Sequence, residues 1–337
     1  MFMTHPSTDA LPRLTGRTIR LAGCLSLLMA VVLGTSVAAG QDKKDDSDDK
    51  KPKIPAPEEL TLTTVDQVQL TITYYPSNKG KDAIPVILLH EWKRSRSDYA
   101  ALAPYLQRLG HAVIVPDLRG HGDSKTRTGG RDIEAAKLTT KDFASIVPAD
   151  MEVIREFLIA KNNAGELNIN KLCVVGAEMG ASVAMQFALY DWTYGPHGNG
   201  YYGPSLQMGQ FVKALVLISP KWSFRGISTA LFMKNRFVCS NISVMIIVGK
   251  EKSAAVSDAK RVHKMFQRYH PEPPEEDKDD KKDLFYGAMP TSLQGAKMLG
   301  VKKLGLARHI AWFIDMRLKK STASKSFTWK ERKRPHE

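Results

Sequence analysis

Glu178 stands between two glycines in the run Gly176-Ala177-Glu178-Met179-Gly180, which joins an apolar stretch to an alanine-rich one. Read as a strand, a tight turn and a helix, the run puts a carboxylate at a helix start. Unpaired backbone N–H groups and the helix dipole favour an anion there. A carboxylate so placed can attack carbon and form an ester, provided a second group activates the water that cleaves it. Alternatively it stays as a fixed charge held by the turn. A dinucleotide fingerprint, G-x-G-x-x-G, does not fit. Glu178 takes the place of the second glycine and would repel a pyrophosphate, and the run lies deep in the domain rather than opening it.

Two further polar clusters end apolar runs: His90-Glu91-Trp92, and Pro116-Asp117-Leu118-Arg119-Gly120-His121-Gly122-Asp123-Ser124. No His/Cys/Asp/Glu spacing suggests a metal, and no cofactor is implied. Of three cysteines, Cys24 lies in the N-terminal apolar segment. Cys173 and Cys239 fall in or beside strands and read as buried apolar residues rather than a disulfide pair.

The elements that must position these groups follow from hydrophobic period. Leu60–Thr64 and Val68–Tyr74 alternate as a strand pair around Asp66-Gln67. Short apolar runs at Pro85–His90, Ala112–Pro116, Lys171–Gly176, Ala214–Ser219 and Ser243–Gly249 read as strands buried on both faces. Helical spacing marks Tyr99–Leu109, Val147–Lys161, Ala181–Tyr190, Val256–Arg268 and Ala307–Met316. Strands alternating with helices predict a doubly wound, mostly parallel sheet flanked by helices, with the first pair antiparallel at one edge.

Outside this domain the chain is of other kinds. Arg13, Arg17 and Arg20 precede an apolar run from Leu21 to Ala39 that closes on small residues, which predicts a signal peptide over 1–39 and an exported protein. A retained segment would make a membrane tether instead. Residues 40–57 are rich in charge and proline and predict a disordered linker. The α/β domain is expected over 58–318, with Pro271–Asp283 as a polar surface insertion. Residues 319–337 are expected to form a basic disordered tail. Arg317–Glu337 holds eight Lys/Arg against two Glu, part of a net charge of +14. Such a tail can meet an anionic surface. No zinc-finger, RNP-like or helix-turn-helix pattern accompanies it, so nucleic acid is not indicated.

The order of these signatures resembles the α/β-hydrolase superfamily over roughly residues 60–317, particularly its monoacylglycerol-lipase and serine-aminopeptidase-like branch. The resemblance implies a G-x-S-x-G elbow, and Glu178 stands at its serine position. It implies an acid after a later strand, where Gly249-Lys250-Glu251-Lys252 puts Lys252, with Glu251 one residue off and Asp258 in the next helix. It implies a histidine in the stretch Met289–Gly295, which has none. His309 falls inside the last helix. The oxyanion hole would be formed near His90, Glu91 and Trp92, with backbone N–H groups of Trp92 and Met179 as donors. Some relatives use an aspartate nucleophile. Glu178 is a longer carboxylate, and no histidine is in place to release its ester.

These departures favour a catalytically degenerate member, a pseudo-hydrolase with a binding or structural role toward an unknown small molecule or protein. In that reading the Glu178 carboxylate folds into the former oxyanion hole and Lys252 approaches as its counter-charge. The alternative is a hydrolase of esters or amides with a non-standard catalytic set around Glu178.

Overall fold

The computed structural model describes residues 53–193 and 209–332. The expected signal peptide, Cys24, most of the linker, residues 194–208 and the last five residues lie outside them.

The sheet opens with an antiparallel pair, β1 (Glu58–Thr63) and β2 (Gln69–Tyr75). It continues with β3 (Pro85–Leu89), β4 (Ala112–Pro116), β5 (Leu172–Ala177) and β6 (Val212–Ile218). A two-stranded ribbon, β7 (Ser223–Phe224) and β8 (Ile227–Ser228), stands apart. The last two sheet strands are β9 (Ser243–Gly249) and β10 (Leu284–Met289). The order is β1-β2-β4-β3-β5-β6-β9-β10, parallel from β4 through β10.

The helices are α1 (Leu102–Arg108), α2 (Thr140–Ser145), α3 (Glu152–Asn163), α4 (Met179–Thr193), α5 (Thr229–Met233), α6 (Arg236–Cys239), α7 (Ser253–Phe266), α8 (Lys278–Lys281) and α9 (Leu306–Asp315). The predicted helix over Val147–Lys161 splits. A π-helical turn, Ile146–Met151, carries Pro148, which has no N–H to give, and the regular helix starts after it.

Successive strand residues point to opposite faces, and the two cores follow this period of two. Ile87, Leu89, Val174, Leu215, Leu217 and Ile246 face α3, α4 and α7, where Leu158, Phe187 and Val262 pack. Val86, Leu88, Val175, Val216, Met245 and Ile247 face α1 and α9, where Leu106, Ile310 and Phe313 pack. Cys173 and Cys239 are buried free thiols.

The C-terminal segment corrects the expected disordered tail over residues 319–332. After a short turn at Thr322–Ser326, the chain runs along the C-terminal end of α3 and the residues that follow it. Asn168, Asn170, Asn162 and Asn163 donate their side-chain amides to the carbonyls of Phe327, Thr328, Lys330 and Arg332, at 2.9, 2.5, 3.0 and 2.7 Å. Trp329 donates its indole N–H to Asn162 O at 3.1 Å and lies under the Lys81 ammonium. Four asparagines far away in sequence therefore read a main chain whose composition alone suggested solvent.

Candidate functional site

β5 enters α4 through one residue, Glu178, with φ at +47°, in the left-handed region that non-glycine residues adopt only at a cost. Its N–H donates to Ile218 O at 2.9 Å, and its carbonyl accepts from Ala181 and Ser182 as the helix begins. The flanking glycines are required by close backbone contact. A Cβ on Gly176 would overlap the Gly180 carbonyl, and one on Gly180 would overlap the Leu89 carbonyl. The tight strand-to-helix corner expected from the sequence is present.

The Glu178 side chain does not take the place expected for it. Its Oε2 lies 2.6 Å from Nζ of Lys221, in the loop after β6. Among the described residues no backbone N–H donates to it, so it does not take up the oxyanion-hole position expected from the sequence. Lys252 is exposed at the start of α7 and makes no ion pair with Glu178. The counter-charge comes from the loop after β6, the strand paired with β5, whereas Lys252 follows β9, one strand further along the sheet. Both partners are partly solvated, Glu178 24% and Lys221 40% exposed.

His90 ends β3 with both ring nitrogens engaged: Nδ1 donates to Glu91 O at 2.7 Å, and Nε2 accepts from Leu118 N–H at 3.0 Å. Full burial, then the neighbouring His121, push its pKa down to about 3. A neutral ring with no free lone pair cannot serve as a general base. His121 is likewise buried, and its Nδ1 lies 2.9 Å from Arg119 O. His309 sits in α9 with its Nδ1 3.0 Å from Gly305 O.

Glu91 is buried beside the elbow. Its Oε1 accepts from Ala296 N–H at 2.5 Å, and Gly295, at φ +60°, leaves room where a Cβ would overlap the carboxylate. Burial chiefly raises the Glu91 pKa; the Ala296 N–H opposes this, and the charge of Glu178 adds to it. The backbone N–H groups of Trp92 and Met179 have no acceptor among the described residues.

The stretch after β10 holds a structural bracket that the sequence reading missed. Gln294 Oε1 accepts from Ser219 Oγ at 2.8 Å and from Gly249 N–H at 3.3 Å, and its Nε2 donates to Gly249 O at 2.9 Å. Ser219 Oγ in turn accepts from Gly295 N–H at 2.9 Å. One buried amide thus fastens the ends of β6 and β9 to the loop after β10. The signal available in the sequence was a glutamine directly before Gly295, in the Met289–Gly295 stretch that has no histidine.

The 116–124 segment is also structural. Asp117 accepts from the N–H groups of Arg96 and Asp123 and is ion-paired with the Arg96 guanidinium. Arg119, fully buried, is clamped by Asp150 at 2.6 Å and Asp66 at 2.8 Å. Ser124 Oγ accepts from Thr71 N–H at 2.8 Å. Over the elbow, Trp92, Phe224 and Phe143 meet edge to face at 5.9 and 5.7 Å, and Arg225 stacks on Trp92 at 4.1 Å.

The fold agrees with sequence comparison. The sequence pattern of the alpha/beta hydrolase fold matches residues 84–283. The chain belongs to the α/β-hydrolase fold family. It is similar to the non-heme chloroperoxidase of Burkholderia pyrrocinia, 34% identical over 22% of this chain and 25% of that protein. It is also similar to the soluble epoxide hydrolase of a Corynebacterium species, 31% identical over 32% of this chain and 30% of that protein. It therefore spans less than a third of the length of either relative. Among solved structures, fungal esterases from Rhizomucor miehei share the fold with a TM-score of 0.53 and 11% identity, over 79% of this chain and 85% of theirs.

Proposed function

We propose that this chain is an exported, catalytically degenerate α/β hydrolase of the monoacylglycerol-lipase and serine-aminopeptidase-like branch, with Glu178 in place of the serine nucleophile and a binding or structural role toward a small molecule or protein. One observation carries the reading: the hydrogen-bond positions that a proton relay would use are taken. Gln294 is consumed in bracing Ser219 and Gly249, and His90 spends both nitrogens on backbone groups. Acyl transfer by a hydroxyl needs a base to accept its proton and an orienter for that base.

A second reading keeps an ester or amide hydrolase with a non-standard set. The buried Glu91 beside the charged Glu178 favours it, since two carboxylates in unlike environments can divide acid and base roles. A panel of p-nitrophenyl esters with wild type, Glu178→Gln and Glu91→Gln separates the two. The first reading expects three equal background rates. A wild-type rate lost in either variant supports the second.

A further inference from the structure

Residues 192–250 contain no Asp or Glu but include Lys213, Lys221, Arg225, Lys234, Arg236 and Lys250. Much of this stretch is strand core, but α5 and α6 bring part of it to the surface. In α5, Thr229, Phe232 and Met233 face inward; in α6, Val238 and Cys239 do. Leu231 and Phe237 are 58% and 57% exposed, the Phe237 ring resting edge-on against Trp192 at 5.4 Å, with Lys234 and Arg236 exposed between them in sequence. A single exposed leucine is ordinary. Two large apolar side chains on consecutive short helices, with cations between and no acid in the segment, form a pattern. The neighbouring α7 packs against α5 through Phe232 and Phe266, 5.8 Å between ring centres, and Tyr269 just beyond it donates to Met233 O at 3.0 Å. It adds exposed Lys260 and Lys264.

We infer that the face built by α5 and α6, with α7 beside it, docks on an anionic phospholipid bilayer. Cations at this face gain from the negative surface potential of such a membrane, while Leu231 and Phe237 enter the boundary between headgroups and acyl chains. A soluble polyanion would engage the cations but give the apolar pair nothing.

The test uses the full chain carrying Cys24→Ser, with a polarity-sensitive fluorophore on Leu231→Cys. A second sample carries it on Val65→Cys, 83% exposed in the β1–β2 turn, as reference. The two described native cysteines are buried. Vesicles rich in phosphatidylglycerol should shift the emission at 231 to the blue and leave that at 65 unchanged. The shift should be absent with phosphatidylcholine alone, and Lys234→Glu with Arg236→Glu should weaken binding at least about thirtyfold. A chain that stays in the supernatant would overturn the proposal. So would a water-like label at 231 on vesicles that carry the chain, an equal shift on phosphatidylcholine, or the same shift with heparin. Because the readout is the depth of one surface position, it is independent of whether Glu178 is catalytic.

Discussion

Lys221 Nζ lies 2.6 Å from Glu178 Oε2, so the residue at the corner between β5 and α4 is tied to the loop after β6. The pair is partly solvated, and such pairs contribute about 0–1 kcal/mol. The left-handed backbone of Glu178 costs about 1–2 kcal/mol for a residue with a Cβ. The strain outweighs the ion pair. Glu178→Gly should therefore melt at or above the wild-type temperature, and Lys221→Met should lower stability by less than about 1 kcal/mol. Thermal melts of the two variants check this. A large loss in Glu178→Gly would mean that the carboxylate holds the corner together.

Gln294 should matter more than its distance from the elbow in sequence suggests. Gln294→Ala would leave Ser219 Oγ without its acceptor and Gly249 O without its donor, both buried. Each unpaired buried group costs about 1–3 kcal/mol. Denaturant unfolding should show a loss of at least about 2 kcal/mol, and a loss below half of that would contradict the bracing role.

Removing residues 322–337 should destabilise the protein. The deletion takes away the bonds from four asparagines and the Trp329 seat. Net contributions of about 0.5–1.5 kcal/mol per hydrogen bond amount to several degrees of melting temperature. An unchanged melting temperature would show that the strap is dispensable.

Glu91 gives a pH test with a definite sign. Its pKa is raised in the folded state, chiefly by burial, so the folded protein binds this proton more tightly than the unfolded chain. Ionising Glu91 then works against the fold. Its unfavourable contribution is absent below the unfolded pKa, grows as pH rises, and is complete above the folded pKa. Glu91→Gln can keep the Ala296 N–H bond without the charge. The variant should gain stability relative to wild type as pH rises through that interval, measured as the difference between the two melting curves against pH. A constant difference would mean that the carboxylate titrates normally.

The fold was legible because the sheet strands advertise themselves. Pro85–Leu89, Ala112–Pro116 and Ser243–Gly249 are unbroken apolar runs, and Gly176 and Gly180 mark the corner between β5 and α4. β10 was not recognised, since Leu284–Met289 pairs only with β9 at the sheet edge and mixes apolar with half-exposed residues. Glu178, Glu91 and His90 could be picked out in the sequence as polar groups at strand ends, but the groups that hold them, Lys221, Ala296 and Leu118, come from other loops. The roles of Lys221, Ser219 and Gln294 depend on three loops meeting at the strand ends, which no local pattern encodes. The tail was misread for the same reason: the asparagines that hold it lie more than 150 residues away in sequence, as the separations of 158–169 show.

The proposed absence of a serine-hydrolase relay is tested most directly by treating the purified chain with a fluorophosphonate probe and mapping any adduct by mass spectrometry. The account predicts no adduct, and no ester hydrolysis above background in the same sample. Stoichiometric labelling of Ser219, or of any other serine beside Glu178, accompanied by hydrolysis that the label abolishes, would contradict it.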